Sequence, residues 1–145
     1  MKIRDGLMDV KRLEAVDGNG LEQWRPVLKG SFPLAAADVA TVLDALGVTA
    51  QELAHDTYTL EQLVAELVLP EPALADVAVH KRRVHYELGG CMAELSEIAA
   101  DGHPTRTIAV ELEDPALVIA AVRDLGLGDR ANTCMAKGLK ALVGF

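Results

Sequence analysis

At 145 residues the chain is the length of one domain, with half of its residues hydrophobic and a quarter charged, the balance of a globular protein and not of a disordered one. Its formal net charge of −8 repels nucleic acid and anionic lipid at long range, although a local basic cluster still governs a small anion within about 8–10 Å. No apolar run approaches the roughly 20 residues of a membrane span, and the first residues lack a signal peptide's apolar stretch. Cys91 and Cys134 stand apart in no metal-ligand or redox pattern, so the sequence reads as a cytoplasmic protein with two free thiols and with neither a membrane nor a nucleic-acid partner.

In chain order, Lys2-Ile3-Arg4, Asp5-Gly6 and Leu7 to Leu13 read as strand, tight turn and strand, since Asp-Gly accepts the positive φ angles of a two-residue hairpin turn. Leu21 to Lys29 is a third extended segment, and Pro26 within it marks a bulge or a sheet edge because proline offers no N–H to a ladder. Pro33 to Gly47 carries Leu34, Val39, Val42, Leu43 and Leu46 at helical spacing, with Gly47 as the stop. Thr59-Leu60-Glu61-Gln62 has the form of a capping box opening a helix that Pro70 and Pro72 close. Asp76 to Leu88 and Cys91 to Ala99 flank a Gly89-Gly90 turn, and Asp101-Gly102 turns the chain into a third strand, Thr105 to Glu113. Asp114-Pro115 is an N-cap followed by proline at the first helical position, predicting a helix to about Gly126, and Asn132 caps a last helix through Leu142. No repeat or interdomain linker interrupts this order, so residues 1–145 read as a single α+β domain with an antiparallel sheet under helices.

Alternation along these strands sorts the charges. A two-residue first turn sets Lys2 opposite Asp9 and Arg4 opposite Leu7, so Lys2, Arg4, Asp9 and Lys11 share a face away from Ile3, Met8 and Val10. In the second hairpin Lys81, Arg83 and His85 share a face with Glu94 and Ser96, while Val84, Leu95 and an Arg82–Glu97 pair take the other. In the following strand Ile108, Val110 and Leu112 form an apolar face opposite Thr105, Thr107, Glu111 and Glu113. The apolar faces are expected under helices. Were the charged faces to curl into a lumen, they would demand ions or partners, because an unpaired buried charge costs several kcal/mol. Lys and Arg suit phosphate oxygens, and paired carboxylates suit a hard divalent cation. Trp24 and Phe32 are read as core anchors, His85 as a partner of Glu94, and His55, His80 and His103 as surface residues.

In their order along the chain these residues resemble the CYTH superfamily, the fold of thiamine triphosphatases and class IV adenylyl cyclases. Lys2-x-Arg4 and Lys11 are similar to its first basic strands, Glu22 to a carboxylate that follows, Lys81-Arg82-Arg83 to its Lys-x-Arg strand, Glu94 to the next acidic position and Glu111-Leu112-Glu113 to its Glu-x-Glu strand. The phrases Val79 to Tyr86 and Arg106 to Glu111 are similar to a divergent bacterial branch linked to polyphosphate metabolism. The family's N-terminal Glu-x-Glu-x-Lys strand has no counterpart before Lys2.

The resemblance implies an antiparallel β-barrel or strongly curved sheet with helices outside, lacking its first strand and helices, and open at a sheet edge through which the chain would form a homo-oligomer. It further implies Mg²⁺ or Mn²⁺ as cofactor and a triphosphate or polyphosphate ligand. Lys2, Arg4, Lys11, Lys81, Arg83 and Lys140 would then bind phosphates, with Lys137 as the alternative to Lys140. Glu94, Glu111 and Glu113 would hold the metal, with Glu111 and Glu113 in the catalytic role. The function so implied is a metal-dependent triphosphate or polyphosphate hydrolase, or its C-terminal part. The alternative is a non-catalytic sensor or adaptor that binds polyphosphate or a nucleoside triphosphate.

Overall fold

Asp5 and Gly6 both take positive φ, 53° and 70°, as a hairpin turn of this length requires. They fold β1 (Lys2–Arg4) onto β2 (Leu7–Val16) with Lys2 opposite Asp9 and Arg4 opposite Leu7. The structure, a computed structural model, describes residues 1–49 and 52–145. They divide into two compact units, Met1–Asp76 and Val77–Phe145.

In the first unit β3 (Glu22–Ser31) pairs antiparallel with the other side of β2. The Asp17 carboxylate tightens the connection by accepting hydrogen bonds from the Asn19 and Leu21 backbone N–H groups at 2.8 and 2.9 Å. Pairing steps from Val10–Leu28 to Lys11–Pro26, so Val27 is an extra residue beside the proline of an edge strand, where a ladder tolerates a missing donor. A second irregularity leaves Glu14 unpaired between Leu13 and Ala15.

The helix predicted from Pro33 begins later. Leu34–Ala35 (β4) instead pairs with Thr57–Tyr58 (β5), and α1 runs Ala36–Leu46. It stops at Gly47, which at φ 74° returns its N–H to the Asp44 carbonyl, a C-terminal geometry that glycine takes without strain. The capping box forms as read: Thr59 Oγ1 accepts from the Gln62 N–H and the Gln62 side chain accepts from the Thr59 N–H. The turn it opens (α2, Leu60–Gln62) continues as a wider π-helix over Leu63–Val68, ending with the Leu69 N–H on the Val64 carbonyl. One apolar cluster fills this unit, built from Met8 and Val10 of β2, Leu34, Val39, Val42 and Leu43, Tyr58, Leu63 and Val68. The Tyr58 hydroxyl is satisfied there by the Ala54 N–H at 2.9 Å.

The second unit is a three-stranded meander, β6 (Val79–Leu88), β7 (Cys91–Ala100) and β8 (His103–Glu111). The Gly89-Gly90 and Asp101-Gly102 turns all have positive φ and give the predicted register, with Arg83 opposite Ser96, His85 opposite Glu94 and Leu88 opposite Cys91. β8 starts two residues earlier than predicted and ends at Glu111, leaving Leu112 and Glu113 beyond the strand. Asp114 caps α3 (Pro115–Asp124) by accepting from the Ala116 N–H at 2.9 Å. The last helix, α4 (Met135–Val143), begins after Cys134 and not at Asn132.

The fold is therefore α+β, but the described residues form separate antiparallel sheets and no closed barrel. Among the described residues β6 and β8 each pair only with β7, and β1 and β3 only with β2, so the outer edges of these sheets have no described strand beside them. No helix among the described residues is long and apolar enough to cross a membrane.

Burial in the second sheet inverts the sequence expectation. On the face of Glu94, Ser96 and Ile98 these three residues of the central strand are buried, Ser96 fully, whereas Val84, Leu95 and Ile108 on the opposite face are 52, 41 and 51 % exposed. On the opposite face Cys91 and Ala93 near the Gly89-Gly90 end are buried, and α3 meets β7 and β8 while α4 meets β7.

Candidate functional site

Glu94 lies in the central strand of the second sheet, and the two-residue Gly89-Gly90 turn fixes which side chains meet it. His85 stands directly opposite on β6, Arg83 one pair further on the same face, and Lys81 beyond that. All three reach the one carboxylate. Lys81 Nζ is 2.5 Å from Oε1 and the Ser96 hydroxyl donates to the same oxygen at 2.7 Å. Arg83 donates to Oε2 at 3.2 Å, and His85 Nε2 lies 2.9 Å from it.

The Glu94 side chain is only 9 % exposed, while those of Lys81, Arg83 and His85 are 31, 45 and 47 % exposed. Burial by itself would raise the carboxyl's pKa. The hydrogen bonds from Lys81, Ser96 and His85, together with the Lys81 charge, outweigh burial and hold it at about 2, against an ordinary 4.5. Glu94 is thus a permanent anion at neutral pH that orients two cations. Lys81 and Arg83 carry two positive charges against its one, and their remaining N–H groups can still reach an anion from the open side.

Thr105 and Thr107 of β8 continue this face, opposite Ile98 and Ser96. Glu111 is also on it, opposite Met92, which faces Glu87 on β6. Glu87 was not among the residues singled out from the sequence, although it extends the Lys81, Arg83, His85 alternation by one step. The face therefore runs from cations near its middle to carboxylates at the Gly89-Gly90 end. Glu113, beyond β8, is exposed. Lys140 sits on α4 with its Nζ 4.5 Å from the centre of the Phe145 ring, a cation–π contact.

In the first unit Lys2 and Asp9 approach to 3.4 Å and Arg4 lies 3.6 Å from Asp5. Lys11 stays on the face of Asp9, because the extra residue of the first bulge is on β3 and not on β2. Lys29 of β3 completes this row opposite Asp9; the uncertain register around Pro26 hid it from sequence reading. Glu22 accepts a hydrogen bond from the Trp24 indole at 3.0 Å. Trp24 is 37 % exposed and is not a core anchor, whereas Phe32 does pack against the core. His55 is half-buried, bonded to Glu66 at 2.9 Å and edge-on to Tyr58. Both cysteines are free thiols.

A divalent cation held by Glu94, Glu111 and Glu113 does not fit this arrangement. Both Glu94 oxygens are taken by cationic and hydroxyl donors, and among the described residues no three His, Cys, Asp or Glu side chains gather closely enough to share an ion. No family model, curated protein or solved structure matches the chain.

Proposed function

We propose that this protein binds the phosphate chain of a triphosphate or polyphosphate on the polar face of β6–β8, through Lys81 and Arg83. The observation that carries the reading is the excess of positive charge around Glu94. Two cations are held by one carboxylate, so they are ordered before a ligand arrives and are not neutralised. Ordering charged side chains in advance removes part of the entropy cost of binding. The threonines of β8 add neutral hydroxyl donors on the same face. Lys2, Arg4, Lys11 and Lys29 form a second basic row in the first unit, and Lys140 offers a further cation on α4.

Binding without catalysis, as a sensor or adaptor, is the form that the Glu94 geometry favours. The second form is a metal-dependent hydrolase of the same ligand, or the C-terminal part of one. It is favoured by Glu111 lying on the same face as Lys81 and Arg83, and it requires carboxylates other than Glu94 to supply the ion's ligands.

Calorimetric titration with tripolyphosphate, with and without Mg²⁺ or Mn²⁺, tests the reading when paired with an assay of phosphate release. Lys81→Ala with Arg83→Ala is expected to weaken binding by about 10²- to 10⁴-fold, since charge-assisted hydrogen bonds contribute roughly 1.5–3 kcal/mol each and two are removed. Turnover that needs metal and is lost in Glu111→Gln with Glu113→Gln identifies the hydrolase. Binding unaltered by metal and without turnover identifies the sensor, and absence of binding ends the reading.

A further inference from the structure

The opposite face of the second sheet carries a site that phosphate binding does not use. Val84, Leu95 and Ile108 stand directly opposite one another across the three strands, and with Tyr86, which is 54 % exposed, they form one contiguous apolar patch open to solvent. Leu95 of the central strand is more exposed than the Glu94 and Ser96 that flank it in sequence, the reverse of the ordinary pattern, and with its neighbours Val84 and Ile108 it marks an interaction surface. On one side the patch ends at the buried Cys91 and Ala93. The other is bordered by Arg82 and Arg106, whose side chains are 83 and 77 % exposed and which share the single carboxylate of Glu97 between them. That border belongs to an open groove of about 810 Å³ that reaches His80 and Pro104 and is lined also by Lys81 and Thr105 of the polar face.

We propose that this face docks an amphipathic α-helix of a partner protein, its apolar stripe on Val84, Leu95 and Ile108 and its acidic flank against Arg82 and Arg106. The outer strands of a three-stranded sheet lie about 10 Å apart, the width of one α-helix, so a single helix covers the row. The charge follows from the border: two arginines against one glutamate leave a positive rim with unused guanidinium N–H groups, which accepts carboxylates and rejects lysines. A nonpolar helix would cover the patch but leave that rim without a partner.

The test uses the full chain and two labelled, end-capped peptides of about 18 residues, roughly five helical turns. Both carry leucines at every third or fourth position; one has glutamates on the flanks and its twin has lysines. Fluorescence anisotropy is expected to show the glutamate peptide bound at least about tenfold more tightly. Leu95→Glu is expected to weaken it by a similar factor, and Arg82→Glu with Arg106→Glu to reverse the order of the two peptides. Val84→Asp, on the outer strand, serves if Leu95→Glu disturbs folding, as judged by circular dichroism. The proposal is overturned if neither peptide binds, if both bind equally, or if neither apolar variant alters binding. It is also overturned if sedimentation shows a dimer of this chain that Leu95→Glu dissolves, since the occupant is then a second copy. Tripolyphosphate binding is read separately, through Lys81 and Arg83, so failure of one proposal leaves the other standing.

Discussion

The two units use the same device, an antiparallel hairpin sheet with helices, and differ in that, of the described residues, only those of the second bury a carboxylate among apolar side chains. In Met1–Asp76 the covered residues are large and apolar and belong to one cluster from β2 through α1 to the π-helix. In Val77–Phe145 the covered residues of β7 are Ser96, Ile98 and Ala100 on the face of the Glu94 carboxylate and Cys91 and Ala93 on the other, while Val84, Leu95 and Ile108 are open. Stability in the first unit is thus mainly hydrophobic burial. In the second it leans on the backbone ladder and on a buried, many-partnered anion. Alternation is unbroken along β6–β8 and still does not reveal which face the protein covers.

The largest effect expected to separate the units comes from truncating an apolar side chain in each. Leu63→Ala, at a fully buried position, is expected to cost about 2–5 kcal/mol. Leu95→Ala, at a position 41 % exposed, is expected to stay within about 0.5 kcal/mol. Trp24, the one tryptophan, lies in the first unit, so its fluorescence follows that unit in urea while circular dichroism follows both. Leu63→Ala should therefore lower the tryptophan midpoint. Equal losses from the two variants would mean that the second sheet's apolar face is covered in solution.

Acid separates the units next. The Glu94 carboxyl is depressed from 4.5 to about 2 in the folded protein, so its contribution is complete above pH 4.5 and disappears as the pH falls toward 2. A shift of that size corresponds to at most about 3 kcal/mol, and solvent around the half-exposed Lys81 and His85 screens it to less. Urea titration between pH 6 and pH 2.5, about the window in which the linkage acts, is expected to move the second unit's transition. In Glu94→Gln that dependence flattens, and the neutral-pH stability falls because Lys81 and Arg83 lose their counter-charge. An unchanged pH slope in the variant would remove Glu94 as the anchor of the site.

How much of this was written in the sequence depends on how local the cause was. Asp5-Gly6, Gly89-Gly90, Gly47, the Thr59–Gln62 box and Asp114-Pro115 specify turns and caps within a few residues, and each appears where its chemistry places it. The cross-strand partners of Glu94 followed because turn length fixes register. The convergence of Lys81, Arg83, His85 and Ser96 on one carboxylate did not follow, since it depends on side chains leaning along the strand. Nor did the division after Asp76, where no Gly- or Ser-rich linker marks the boundary, or the exposure of the Leu95 row, which depends on where distant helices come to rest. Trp24 shows the same limit: its size suggests a core, but its strand position puts it on the open side of β3.

The caps give a finer comparison of the units, because each belongs to one of them. Thr59→Ala removes one half of the capping box in the first unit and Asp114→Ala the cap of α3 in the second. Each is expected to cost about 1 kcal/mol. The tryptophan transition should respond to the first and not to the second. If both substitutions move both transitions together, the units unfold as one cooperative body and the comparison drawn above concerns packing only.

The smallest effects come from the surface ion pairs, and their size tests whether charge stabilises a unit only when it is buried. Arg12 meets Asp44 at 2.5 Å across β2 and α1, with side chains 48 and 78 % exposed. Water screens such a pair, and two long side chains lose freedom to hold it, so a double-mutant cycle of Arg12→Ala and Asp44→Ala is expected to yield less than about 1 kcal/mol and to shrink in high salt. The Glu94 cluster is expected to resist salt better, because its carboxylate is withdrawn from solvent and screening ions reach it poorly. Raising the salt should therefore lower the coupling of Arg12 with Asp44 by a larger fraction than that of Lys81 with Glu94. Equal fractional losses would show that solvent enters the second sheet's polar face as freely as the outer surface, and that Glu94 orders its cations by geometry alone.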